Sequence, residues 1–174
     1  MIILGIDPGS RITGFGVIQV SGHGAHTRIQ HINHGVILMK PTDPFPLRMK
    51  EIGEGMQLIL RKYKPAQVAI EKIFLGRNAD SAFKLGHARG VALYESARFG
   101  CEVFEYATRL VKKGITGRGG ASKEEVQASL EKLLNLKAIS RIDASDALAL
   151  ATFHAFRITN PLLRKAGRSQ NLDL

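Results

Sequence analysis

The stretch Met1 to Val17 constrains the fold most. Its apolar run, Ile2 to Ile6, reads as a buried strand that ends in a carboxylate, Asp7, followed at once by Pro8-Gly9 and a second strand-like run. A carboxylate there stands at the rim of a sheet, where rigid backbone holds it and a ligand can reach it. Asp-Pro-Gly is also good turn chemistry by itself, so Asp7 alone reads equally well as a turn residue or a site residue. Gly5, Gly9, Gly14 and Gly16 surround it, and the expectation is that so little bulk lets a phosphate approach the backbone closely.

The chain of 174 residues has the length of one domain. We expect a single domain over residues 1–158 and a basic, flexible tail over 159–174. No apolar run nears the roughly 20 residues of a membrane span, and the opening run has neither the leading positive residues nor the length of a signal peptide. One cysteine, Cys101, cannot form an internal disulfide and reads as a structural strand residue. A reducing, cytoplasmic setting is expected. Lys and Arg number 25 against 15 Asp and Glu, a formal net charge of +10, which implies a polyanionic partner. The segment from Ala107 to Arg141 carries eight basic residues against three acidic, so the excess is concentrated late in the chain.

Arg28 to Met39 continues the first two strands as an antiparallel meander. The histidines His23, His26, His31 and His34 read as exposed strand and loop residues rather than ligands. Leu47 to Lys64 has helical apolar spacing, Gln67 to Glu71 is a short strand ending in a second carboxylate, and Ala79 to Phe99 is a long helix. Gly86 and Gly90 within that helix suggest close packing against a neighbour. Cys101 to Tyr106 reads as a fifth strand, Thr108 to Lys113 as a short helix and Gly114 to Ala121 as a flexible loop containing Arg118. Ser122 to Glu125 is a capping-box start for another helix, and the last helix begins at Asp143. The expected class is α/β, a five-stranded mixed sheet with its first three strands antiparallel, flanked by helices.

Four acids occupy unusual places. Asp7 and Glu71 end two strands, and Asp143 and Asp146 share one face of a helix's first turn. Acids in a first turn also serve the helix dipole. If that helix starts beside the two strand ends, the four carboxylates converge and repel one another. Hard divalent cations would relieve that repulsion: two Mg²⁺, or Mn²⁺ in their place, could activate water and stabilise the leaving oxygen of a phosphodiester.

Four segments, Gly5 to Gly14, Ala69 to Phe74, Asn78 to Gly90 and Asp143 to Ala149, closely resemble the RuvC family of Holliday-junction resolvases. The resemblance covers Met1 to about Phe156. It implies a ribonuclease-H-like fold, a homodimer, and Mg²⁺-dependent symmetrical nicking of two opposing strands of a four-way DNA junction in recombination and repair. It also implies the branch-migration proteins RuvA and RuvB as partners. Asp7, Glu71, Asp143 and Asp146 match the family's catalytic and metal-binding acids. Phe74 matches an aromatic that stacks on bases near the crossover, with Arg77 beside it, and Lys112 and Lys123 match basic positions near the DNA. Arg118 is a further candidate DNA contact. Lys72, next to Glu71, and the Gly114 to Ala121 loop depart from the family's commoner pattern.

Two other function classes fit parts of this pattern. The Gly5 to Ser10 segment also resembles the phosphate hairpin of actin-like and sugar-kinase ATPases, but those folds need two lobes and 174 residues leave no room. A junction-binding protein without catalysis would not need all four acids.

Overall fold

The computed structural model describes residues 1–22, 26–72 and 79–160. In chain order the elements are β1 (Ile2–Asp7), β2 (Ile12–Ser21), β3 (Arg28–Leu38), α1 (Phe45–Tyr63), β4 (Gln67–Glu71), α2 (Ala79–Arg98), β5 (Glu102–Tyr106), α3 (Thr108–Thr116), α4 (Lys123–Leu133) and α5 (Ile142–Thr159). The five strands form one sheet in the order β3-β2-β1-β4-β5. β1 to β3 are antiparallel, while β4 and β5 join parallel to β1, as the helix before each of them requires. The expected mixed sheet is present.

Alternation along the strands builds two cores. Ile3, Ile18 and Ala69 point to one face and pack with α3, α4 and α5. Leu4, Ile6, Val68 and Ile70 point to the other and pack with α1 and α2. Asp7 and Glu71, by the same period of two, project to the α5 face.

Helix α5 lies with its backbone directly against β1 and β2. A Cβ on Gly5 would stand 1.9 Å from the Ala147 carbonyl oxygen, one on Gly14 2.0 Å from that of Asp143, and one on Gly16 2.5 Å from the Leu148 Cα. These glycines therefore seat a helix rather than admit a ligand, which corrects the expectation drawn from the sequence. Gly9 is closed off as well: the Thr13 hydroxyl donates to its carbonyl at 3.0 Å and accepts from its N–H at 3.3 Å.

Further along, α5 is locked by His154. Its imidazole bridges the Tyr106 hydroxyl at 2.6 Å and the Gln67 side-chain oxygen at 3.0 Å. Burial, aided by the charge of Arg157, pushes His154 down to about 4, so the ring is neutral at physiological pH.

Several boundaries differ from the sequence reading. α1 takes in Phe45 and Pro46, because a proline costs nothing in a first turn whose N–H groups lack partners. α3 runs on to Thr116: Ile115 is buried, and Gly114 faces the Phe153 ring, which a Cβ would meet at 2.2 Å. Only Gly117, at φ 80°, ends that helix. Cys101 lies just before β5 and is half-buried, its thiol donating to the Pro65 carbonyl.

His31 and His34 are likewise half-buried and joined ring to ring at 2.8 Å, because a register shift in the β2–β3 ladder brings them onto one face. Among the described residues a Cβ on Gly86 or Gly90 would meet nothing within 4 Å; α2 leaves them on the surface with Phe83 and Tyr94. α4 starts at the expected capping box, with Ser122 and Glu125 each bonding the other's backbone. α5 continues to Thr159, one residue past the expected domain limit, with Asn160 as its cap, and residues 161–174 of the expected tail lie outside the described residues.

Candidate active site

Asp7 and Glu71 end the two central parallel strands, β1 and β4, so their side chains emerge side by side on the α5 face. The glycine seat at Gly14, which pairs with Asp7 across the β1–β2 ladder, brings the first turn of α5 to the same edge, and with it Asp143 and Asp146. A cleft lined by Asp7, Glu71 and Asp146, with Thr108 and Lys112 at its side, has a floor of Val111, Val126, Ala149 and Leu150. Asp143 does not line that cleft, but its charge acts on both Asp146 and Lys123.

Electrostatics follow from this crowding. Burial, then the charges of Glu71 and Asp146 and a hydrogen bond with Glu71, push Asp7 up to about 8, against the pull of Lys123. Burial also raises Asp146, although Lys123 opposes it by bond and by charge. Lys123 reaches across from α4 to donate to the Asp146 carboxylate at 2.5 Å. Burial works to lower that lysine, but the bond and charge of Asp146, with the charges of Asp7 and Asp143, outweigh it and raise its pKa. The ammonium thus supplies the one positive charge that this group of acids has among its described neighbours at bonding distance.

Four carboxylates form an oxygen-only donor set, which suits a hard divalent cation. Among the described residues no three ligating side chains converge closely enough to form a coordination shell by themselves. The feature that fits a cation is the facing of three carboxylates, Asp7, Glu71 and Asp146, into one cleft.

Of the expected DNA contacts, Lys112 stands at the cleft with its ammonium donating to the Ala121 carbonyl at 2.9 Å. Arg118 is exposed and paired with Glu125. Phe74 and Arg77 lie outside the described residues. Thr108, which no spacing in the sequence singled out, donates its hydroxyl to the Glu71 carboxylate. Arg89 of α2 donates to the Glu71 carbonyl at 3.1 Å. Neither has a local signal, since each contact joins residues far apart in sequence.

A mixed sheet in this strand order, with acids at two neighbouring strand ends and at the start of the helix laid across them, defines a ribonuclease-H-like nuclease. The family model for crossover junction endodeoxyribonuclease RuvC matches residues 3–154. The chain is 64% identical over 163 residues to the Bdellovibrio bacteriovorus crossover junction endodeoxyribonuclease RuvC, covering 94% of this chain and 95% of that one. Thermus thermophilus RuvC superposes with a TM-score of 0.80 at 34% identity, covering 91% of this chain and 95% of that one. A second structure of T. thermophilus RuvC, in complex with a Holliday junction substrate, gives the same score of 0.80 at 31% identity, with the same coverage of both chains. The chain belongs to the RuvC family of crossover junction endodeoxyribonucleases.

Proposed function

We propose that this chain resolves Holliday junctions by hydrolysing one phosphodiester in each of two opposing strands, with Asp7, Glu71, Asp143 and Asp146 holding Mg²⁺ at the site. RuvC nucleases are metal-dependent. The observation that carries the assignment is geometric: Asp7 and Glu71 at two adjacent strand ends and Asp146 in the first turn of α5 line one cleft, and burial with the charges of Glu71 and Asp146 raises Asp7, as an uncompensated group of acids would. Mg²⁺ bound there, one or two ions, would supply Lewis acidity at the phosphate and lower the pKa of a water molecule. Mn²⁺ has the same preference for oxygen and should substitute.

The chain's own groups have distinct tasks. Thr108 fixes the Glu71 carboxylate by its hydroxyl, which limits the rotamers open to a long ligand side chain. Lys123 and Lys112 stand at the acid cluster and at the cleft wall, where an ammonium would offset the charge developing on phosphate oxygens. The basic excess of the α3–α4 region is suited to the flanking phosphates, with Arg118 at its surface. Phe74 and Arg77, from the resemblance, complete the assignment as crossover contacts.

Two opposing nicks need two sites. The α2 surface bearing Phe83, Gly86, Gly90 and Tyr94, with Phe83 69% and Tyr94 64% exposed, is the face we assign to a homodimer, since side-chain-free positions let a second helix come close. RuvA and RuvB are the partners proposed by family, and the cytoplasm the compartment, in keeping with a DNA substrate and no helix among the described residues that could cross a membrane. Incubation with a mobile four-way junction and with a matched linear duplex tests this: Mg²⁺-dependent paired nicks in the junction alone are expected. Equal cutting of both DNAs, or cutting in EDTA, would refute it.

A further inference from the structure

Glu71 is held from both faces of the sheet. On the α5 face Thr108 bonds its carboxylate. From the opposite face, where α1 and α2 pack, Arg89 donates its Nε–H to the Glu71 carbonyl at 3.1 Å while its terminal nitrogen ion-pairs with Glu105 of β5. Glu105 pairs in register with Ile70 and Tyr106 with Glu71, so one guanidinium spans the last turn of the β4–β5 ladder. The peptide that follows Glu71 is held on its N–H side by the Tyr106 carbonyl at 2.8 Å, and the planar fork of Arg89, with two acceptors, holds its carbonyl side as well. The Arg89 side chain is only 18% exposed and both of its bonded edges are committed, so it is poorly placed to serve a phosphate.

We infer that Arg89 is a positioning residue: from behind the sheet it sets the backbone of Glu71, and through it the metal affinity of the acid cluster. This rests on the reading of Glu71 as a metal ligand. The same helical turn carries Gly90 on the proposed dimer face, so whatever seats α2 also seats the end of β4.

The test is Mn²⁺ titration of the DNA-free protein, followed by electron paramagnetic resonance, for wild type, Arg89→Gln, Arg89→Lys and an Asp7→Asn control. Arg89→Gln is expected to bind Mn²⁺ about tenfold more weakly, the lower end of what loss of a ligand's supporting bond costs. Arg89→Lys should recover part of that loss. Nicking by Arg89→Gln should fail at limiting Mg²⁺ and return at saturating Mg²⁺, with junction affinity in EDTA and its salt dependence unchanged. Unaltered Mn²⁺ affinity overturns the inference, and so does a weaker junction affinity in EDTA with a shallower salt slope, which would make Arg89 a phosphate contact. If Arg89→Gln does not fold, Glu105→Gln, which frees the guanidinium without removing it, should also weaken Mn²⁺ binding, and no change there overturns the inference. A wild type that binds Mn²⁺ through Asp7 yet nicks no junction would defeat the proposed function while leaving Arg89's effect on affinity measurable. Absence of Asp7-dependent binding would overturn both.

Discussion

The Asp143 carbonyl oxygen lies 2.0 Å from where a Cβ on Gly14 would stand, so helix α5 can begin over the sheet only because position 14 has no side chain. Gly14 is the ladder partner of Asp7. A packing requirement and the assembly of the acid cluster are therefore one requirement.

Gly14→Ala follows directly. The neighbour is helix backbone, which cannot rotate away, so the substitution should cost about 3 kcal/mol, the upper part of the range for overpacking. Urea unfolding measures the cost, and nicking should fall more than junction binding because the start of α5 moves. Unchanged stability with full nicking would mean α5 is not held as described.

How much of this could be read beforehand depends on the kind of interaction. Strand ends and caps are local, so Asp7, Glu71 and the Ser122–Glu125 box were legible from neighbours in sequence. The glycines were legible as small but not as a seat, since the atoms they accommodate belong to Ala147, Asp143 and Leu148, more than a hundred residues on. Gly114 reads as loop because glycine favours turns, yet its role is to face Phe153. Thr108, Arg89 and the His31–His34 pair depend on long-range distances or on a strand irregularity, and no residue type announces those.

The metal-free protein should lose stability as pH rises. Asp7 keeps its proton to about 8 in the folded chain, chiefly through burial and then the charges of Glu71 and Asp146, against about 3.9 when unfolded. Between those values the folded state holds the extra proton, so stability falls with pH across that window. In EDTA at pH 7.5, Asp7→Asn should resist urea better than wild type, with an advantage that shrinks towards pH 4. Added Mg²⁺ should stabilise wild type and leave Asp7→Asn little changed. A constant difference between the two across pH would contradict the crowding.

His154 gives the opposite slope. Its folded value near 4, set mainly by burial, lies below the unfolded value of about 6.5. The unfolded chain therefore takes up the proton first, and stability is lost as pH falls from about 6.5 towards 4. Between pH 7.5 and pH 5 the loss from this group should be roughly 2 kcal/mol, measured by urea unfolding. His154→Gln should start less stable and lack that component; the same acid dependence in the variant would show that His154 is not the group responsible.

Gly90→Arg places a long charged side chain on the exposed α2 face, where a Cβ meets no described residue within 4 Å. Sedimentation should find wild type dimeric and the variant monomeric but folded, with a melting temperature that, unlike that of wild type, does not depend on protein concentration. A variant that remains dimeric would place the interface elsewhere.

The proposed function stands on hydrolysis by the acid cluster rather than by the basic surface. It is tested by comparing wild type with Asp7→Asn and Asp146→Asn on a mobile four-way junction, measuring binding in EDTA and nicking in Mg²⁺ on the same preparations. Junction affinity is expected within about threefold of wild type, since phosphate contacts dominate affinity, and nicking reduced by at least about a thousandfold, since a lost ligand removes charge stabilisation at the reacting phosphate. Nicking at the wild-type rate by either variant would contradict it.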